Sequence, residues 1–242
     1  MATNSHVQAV LNGAGEWLRS EAILRTTRSA PGFDAVWHQA AQIPGWFTEV
    51  NAAAFSAVIA EKRPQTVVEI GSYLGRSSAL IGLSLQKFSH NPRLVSIDPH
   101  TGDRQQKEFL GADELPTAKL FELHMVGLGL KELLDIRVAT SSDVALTWED
   151  PVDLIFVDGW HSYDAVLEDG RAWTPHLTGD GLICFDDYGN YPEVKDAVHK
   201  VCEETQLHLY GTVTAQAWAG KQPTPPPSLQ TAIKWTRLLR GH

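Results

Sequence analysis

Four short apolar runs in this chain each end on a carboxylate, and helix-like segments separate them. They are Thr66–Ile70 with Glu69 near its end, Arg93–Asp98, Val152–Val157 followed by Asp158, and Leu182–Phe185 followed by Asp186 and Asp187. Strands alternating with helices imply a mostly parallel sheet with right-handed crossovers. In such a sheet ligands sit beyond the carboxyl ends of the strands, so all these acids are expected on one rim. A shorter run, Ile136–Thr140, and a closing hairpin, Leu207–Val213 with Gln216–Ala219, complete the set. The expected fold is α/β: a doubly wound, Rossmann-like, seven-stranded and mostly parallel sheet with an N-terminal helical extension.

The first run leads into Gly71-Ser72-Tyr73-Leu-Gly75-Arg76-Ser77-Ser78 and then an apolar helical pattern. This is a buried strand, a tight turn and a helix start, a unit that binds nucleotide-like ligands. Its spacing is Glu-x-Gly-x-x-x-Gly, unlike the Gly-x-Gly-x-x-Gly of dinucleotide dehydrogenases, and no Lys-Ser/Thr pair marks a P-loop. The glycines let the backbone approach a ligand, and an acid at the strand end can take an ammonium group. Asp98, ending the second strand, stands where a carboxylate commonly accepts ribose hydroxyls. An amino group at one point and a ribose at the next direct the reading to S-adenosylmethionine.

At 242 residues the chain suits one α/β domain with helical decoration. We expect a helical cap or dimerisation segment over 1–62, the cofactor domain over 63–220, and a proline-rich linker with a C-terminal segment over 221–242. Helical patterns fall at 7–28, ended by Pro31-Gly32 as a breaker, at 45–60 in amphipathic form, at 116–133, at 163–173, closed by Pro175 and a Gly179-Asp180-Gly181 turn, and at about 192–204. The polar 99–114 stretch is long enough to form a lid. A net charge of −9 without a basic stripe argues against nucleic acid or an anionic membrane as partner. Two cysteines supply neither a disulfide framework nor a zinc spacing, as expected in a reducing cytosol. The start lacks a signal-peptide layout, and no apolar run is long enough to span a bilayer. A cytoplasmic protein is therefore expected, and the helical N-terminal cover with the Trp-rich segments suggests a homodimer.

Acids at adjacent strand ends can converge on one cation, because neighbouring strands lie about 4.8 Å apart. An all-oxygen set favours Mg²⁺, with Mn²⁺ or Ca²⁺ as substitutes. Paired acids after a strand also cap helices and turns, so this reading competes with a structural one. His161, three residues past Asp158, is either a general base or a hydrogen-bonded loop residue. Trp160 either stacks on a ligand ring or simply packs.

Val68-Glu69-Ile-Gly71-Ser-Tyr-Leu-Gly75-Arg76-Ser77 resembles the first motif of class I S-adenosylmethionine-dependent methyltransferases. Asp158-Gly-Trp-His161-Ser-Tyr163 and the stretch Pro175–Tyr188 resemble the branch containing macrocin O-methyltransferase and cephalosporin hydroxylase-like proteins. The resemblance covers about residues 44–204. It implies an O-methyltransferase with a small-molecule or oligosaccharide hydroxyl as acceptor, a sugar hydroxyl foremost. By resemblance, Gly71 and Gly75 face the methionine part of the cofactor, with Glu69 near its amino group, and Ser72, Tyr73 and Ser77 are further cofactor contacts. Asp98 holds the ribose, and Ser141 and Ser142 lie near the adenine. Asp158, Asp186 and Asp187 match Mg²⁺-holding positions, Asp158 also flanking the cofactor. Family loops often carry a second acid two residues after Asp158; here that position is Trp160, which makes His161, beside Asp158, the expected base. Trp160, Tyr163, Tyr188 and His100 are the expected acceptor contacts. A catechol-like or polyketide acceptor, a nucleotide-dependent oxidoreductase and a non-catalytic partner protein are the competing readings.

Overall fold

Parallel pairing in register is what brings the strand-end acids together. The computed structural model describes residues 30–102 and 116–240. The expected helix at 7–28 and most of the expected lid lie outside the described residues. Strands β1 (Thr66–Ile70), β2 (Arg93–Ile97), β3 (Leu134–Arg137), β4 (Val152–Val157), β5 (Leu177–Phe185), β6 (His208–Val213) and β7 (Gln216–Gly220) form one sheet. It has seven strands in the order β3-β2-β1-β4-β5-β7-β6, and β7 runs antiparallel to both its neighbours.

Ile70 pairs with Ile97 on one side and Val157 on the other, and Val157 pairs with Phe185. Backbone bonds extend the ladder one residue further: Gly71 N to Ile97 O at 2.9 Å, Asp158 N to Ile70 O at 2.8 Å, and Asp186 N to Val157 O at 2.9 Å. Asp98, Asp158 and Asp186 therefore occupy equivalent places, each just past its strand.

Alternation along the strands splits the core into two layers, since successive side chains point to opposite faces. Val67, Leu94, Leu154 and Phe156 pack toward α1 (Phe33–Ala40), α2 (Glu49–Lys62) and α3 (Arg76–Phe88). Val68, Val95, Ile155 and Val157 pack toward α6 (Tyr163–Trp173) and α7 (Pro192–Thr205). The connections after β2 and β3 carry α4 (Thr117–Gly127) and α5 (Ser141–Ala145). Helix α8 (Pro227–Arg240) closes the chain against α2 and β6. Phe55 sits at the heart of the first layer, its ring 4.9 Å from Phe156 and 4.7 Å from Trp218. Burying a side chain of that size contributes about 1.5–3 kcal/mol. No helix among the described residues is long and apolar enough to cross a membrane.

Several elements depart from expectation for local reasons. Helix α2 is buried from Val50 through Ile59 rather than amphipathic, because α8 covers the side away from the sheet. The third strand begins at Leu134, and the residues at its expected end serve the next helix: Thr140 caps α5 by accepting from Asp143 N. Gly179-Asp180-Gly181 is not a turn but part of β5. There the register jumps from Val152↔Leu177 to Leu154↔Leu182, a bulge that absorbs the extra residues. The proline-rich stretch is tied down: Lys221 donates to Leu177 O, and Gln222 Nε2 donates to Gly179 O at 2.8 Å.

Candidate active site

One cavity of about 810 Å³ opens at the carboxyl ends of β1, β2, β4 and β5. Its floor at one end is the glycine loop, with Gly71, Ser72, Tyr73, Arg76 and Ser77 on the wall. Gly71 has φ +85°, and a Cβ there would lie 2.1 Å from Asp158 O. Only glycine permits that crossing of the β1 and β4 loops. Asp98 ties the loop down: its Oδ2 accepts from Ser72 N at 2.9 Å and Tyr73 N at 2.8 Å, and its Oδ1 from His100 N at 2.7 Å. Of a carboxylate's roughly four acceptor positions, one is left for a ligand hydroxyl. Ser141 and Ser142 line the same side, and Ser141 donates to Asp169, which burial pushes up to about 6.

At the other end stand Asp158, His161, Asp186 and Asp187. One donor atom each from Asp158, His161 and Asp187 falls within 4.8 Å of the others, and Asp186 stands outside that group. The expected oxygen triad is thus replaced, in the grouping the structure gives, by two carboxylates and an imidazole. His161 Nε2 lies 2.9 Å from Asp187 Oδ2, and its ring stacks on Tyr191 at 4.9 Å. Burial, then the charges of Asp186 and Asp187, push Asp158 well above the usual carboxylate range. Burial and Asp187 raise Asp186 to about 6. Burial acts on Asp187 as well, but hydrogen bonds from His161 and Asn190 outweigh it and hold Asp187 below the usual value. Such crowding of like charge is what a bound cation relieves. Trp160, 63% exposed, and Trp46, 49% exposed, stand on the wall between the two ends and solvent.

Other expected contacts do not reach the cavity. Glu69 is fully buried beneath the loop, where Ser78 and Ser96 donate to its Oε2, and burial raises it to about 7. Gly75 serves packing, since a Cβ there would lie 2.7 Å from Met125 Cε. His100 turns toward Thr117 Oγ1 at 3.1 Å, and burial lowers its pKa. Tyr188 meets His199 Nε2 at 3.0 Å, and Tyr163 packs on the core of the α6 and α7 layer. Arg76 was not among the expected contacts; a basic residue at the first position of a buried helix, directly after the glycine loop, was the available signal.

A doubly wound sheet with a ligand cavity at its switch point defines the class: a nucleotide-cofactor-binding α/β protein. The model of a methyltransferase-domain family matches residues 68–188. The chain belongs to that family. It is also 30% identical over 154 residues to an uncharacterized protein of Acanthamoeba polyphaga mimivirus. That match spans 62% of this chain and 65% of the relative, so the chain covers just under two thirds of that protein. Among solved structures, the SAH-bound methyltransferase PaMTH1 of Podospora anserina superposes with a TM-score of 0.59 at 12% identity, over 92% of this chain and 98% of that one. The O-methyltransferase TomG of Streptomyces achromogenes, in complex with SAM, gives 0.53 at 15% identity, over 80% and 88%. At these identities the likeness establishes a shared fold.

Proposed function

We propose that this protein is an S-adenosylmethionine-dependent O-methyltransferase acting on a small-molecule hydroxyl, with a sugar hydroxyl as the favoured acceptor and Mg²⁺ at the acid cluster. One observation carries the reading: a single cavity has the glycine loop with Asp98 at one end and Asp158, His161 and Asp187 at the other. Its volume suits a nucleoside cofactor with an acceptor beside it. The donor fits the glycine loop, where Gly71 leaves no side chain in the way and Asp98 keeps an acceptor position free. A divalent cation fits the cluster, which offers hard oxygen donors whose mutual repulsion it would relieve.

S-adenosylmethionine, when bound, supplies a methyl group on a positively charged sulfur. A divalent cation held by Asp158 and Asp187, with Asp186 alongside, supplies charge that lowers the pKa of an adjacent hydroxyl. The chain's own work is to position the reactants and exclude water. Asp98 and the Gly71 loop fix the donor end. With Nε2–H of His161 donated to Asp187, the lone pair on Nδ1 takes the hydroxyl proton, and Asp187 steadies the imidazolium. Trp46, Trp160 and Tyr191 offer apolar faces against which a sugar ring can lie. Free, buried Cys184 and Cys202 agree with a cytoplasmic setting, and the N-terminal extension is assigned to homodimer contacts.

A second reading of His161 has its own support. His161 Nε2 lies 2.9 Å from Asp187 Oδ2 and belongs to the same donor group as Asp158 and Asp187, so it would help to hold a divalent ion there. In that reading His161 is a ligand rather than the base. The experiment for the main proposal is incubation with methyl-labelled S-adenosylmethionine, Mg²⁺ and a panel of glycosides, free oligosaccharides and catechols. Label transfer to a glycoside hydroxyl, lost on chelation, is the expected result. Transfer only to a catechol would reassign the acceptor, and transfer to none would remove the reading.

A further inference from the structure

The tip of the β6–β7 hairpin holds a residue that its turn disfavours. The register Val213↔Gln216 leaves Thr214 and Ala215 as a two-residue turn, and Thr214 adopts φ +52°. Such turns take glycine or asparagine at that position, because a β-branched side chain is costly in the left-handed region. The tip is nevertheless fixed on two sides. The Thr214 hydroxyl donates to Asn51 Oδ1 of α2, 163 positions away in the chain. Ala215 O accepts from Gly189 N at 3.0 Å, and Gly189 belongs to the turn in which Asn190 N donates to Asp187 O at 2.9 Å. The hairpin tip is thus docked at the acid-cluster end of the cavity, and Asn51, Thr214 and Ala215 all border that cavity.

Asn51 is 5% exposed and lies in the first turn of α2, where its backbone N–H is spent on Thr48 Oγ1 at 3.3 Å. With Oδ1 taken by Thr214, Nδ2 keeps two N–H donors and has no hydrogen-bond partner among the described residues. An unpaired amide in so buried a residue is costly. The strained turn and the unpaired amide are both departures from what stability alone selects, and they meet at one point of the cavity wall. Strain of this kind gathers at ligand sites.

We propose that Asn51 Nδ2 binds a second hydroxyl of the sugar acceptor, other than the one methylated, and that Thr214 is the positioning residue that aims this amide. The inference rests on the sugar-acceptor reading above and names the contact that chooses among the hydroxyls of a ring. Neither side chain carries a charge, so the pair suits a neutral oxygen rather than a carboxylate or phosphate. A hydroxyl held here fixes which of its neighbours reaches the acid cluster.

Methyl transfer by the full chain tests this on methyl glycosides of glucose, mannose and galactose and on their monodeoxy analogues. The proteins are wild type, Asn51→Ala, Thr214→Val and Thr214→Ser, each also melted thermally. In wild type, deleting one hydroxyl other than the methylated one is expected to lower kcat/KM by about 5- to 50-fold, chiefly through KM. In Asn51→Ala the same deletion is expected to matter by less than about twofold, since the partner is already gone. Thr214→Val should lose part of this discrimination, and Thr214→Ser, which keeps the hydroxyl, should recover it. Full discrimination in Asn51→Ala and Thr214→Val would overturn the assignment and leave the sugar reading standing. If both variants also melted lower, the pair would belong to the fold alone. Transfer to no glycoside by wild type would remove the assignment and the sugar reading together.

Discussion

The backbone of Gly71 crosses that of Asp158 so closely that a Cβ on residue 71 would lie 2.1 Å from the Asp158 carbonyl oxygen. This contact joins the two halves of the site. The β1 loop, proposed above to hold the donor, and the β4 loop that carries Asp158 are packed backbone to backbone, with no side chain between them. Neither loop can shift without the other.

Gly71→Ala is therefore expected to cost stability and binding together. The left-handed conformation at φ +85° and the carbonyl clash both oppose a side chain. A loss of roughly 2–4 kcal/mol is expected in urea unfolding, with S-adenosylhomocysteine affinity lost as well. Unchanged stability would mean that the β4 loop yields freely.

Glu69 makes stability depend on pH. Burial raises its pKa from 4.5 to about 7, so the folded protein holds this proton more tightly than the unfolded chain. Its contribution is fully present below 4.5 and is lost as pH rises through about 7. Glu69→Gln keeps an acceptor for Ser78 and Ser96 and removes the charge. Urea unfolding at about pH 5 and about pH 8 should show the variant gaining about 2 kcal/mol on wild type between them. A constant difference would contradict the buried, titrating carboxylate.

The acid cluster should separate cation binding from donor binding. Asp158→Asn and Asp187→Asn are expected to abolish Mn²⁺ binding, read by electron paramagnetic resonance, while S-adenosylhomocysteine affinity changes by less than about tenfold. Loading with Co²⁺ distinguishes the two uses of His161. A ligand role predicts a changed visible spectrum in His161→Ala, whereas a base role predicts the same spectrum and loss of the acidic limb, on which the rate falls as the imidazole is protonated.

Trp160 is 63% exposed on the cavity wall, so its removal leaves the fold unstrained. Trp160→Ala should raise the acceptor KM by roughly 5- to 50-fold through lost ring contact, with KM for the donor unchanged. An unaffected acceptor KM would make Trp160 an ordinary surface residue.

The sheet and its rim of acids were legible because strand periodicity and strand-end chemistry are local. The fourth strand and the helix Tyr163–Trp173 match the structure residue for residue. The start of β5 was hidden because Gly179 and Gly181 signal a turn, while pairing with β4 stretches them into a bulge. Helix α1 was missed because Gly32, taken as a breaker, opens it from the left-handed region. Which strand-end side chains face the cavity was not legible. Glu69 and Ile70 are adjacent and point oppositely, so Ile70 lines the cavity and Glu69 lies beneath it. The same blindness hid Arg76, whose place on the cavity wall depends on the loop of Ile43 and Phe47 arriving from more than a helix away.

The central claim is that one cavity holds a methyl donor beside a cation-binding acid cluster. Calorimetric titration of S-adenosylhomocysteine into the wild-type chain, with and without Mg²⁺, tests it most directly. The account predicts one donor site per chain that survives chelation, and a separate Mg²⁺ signal that Asp158→Asn removes. No binding of S-adenosylhomocysteine under either condition would contradict it.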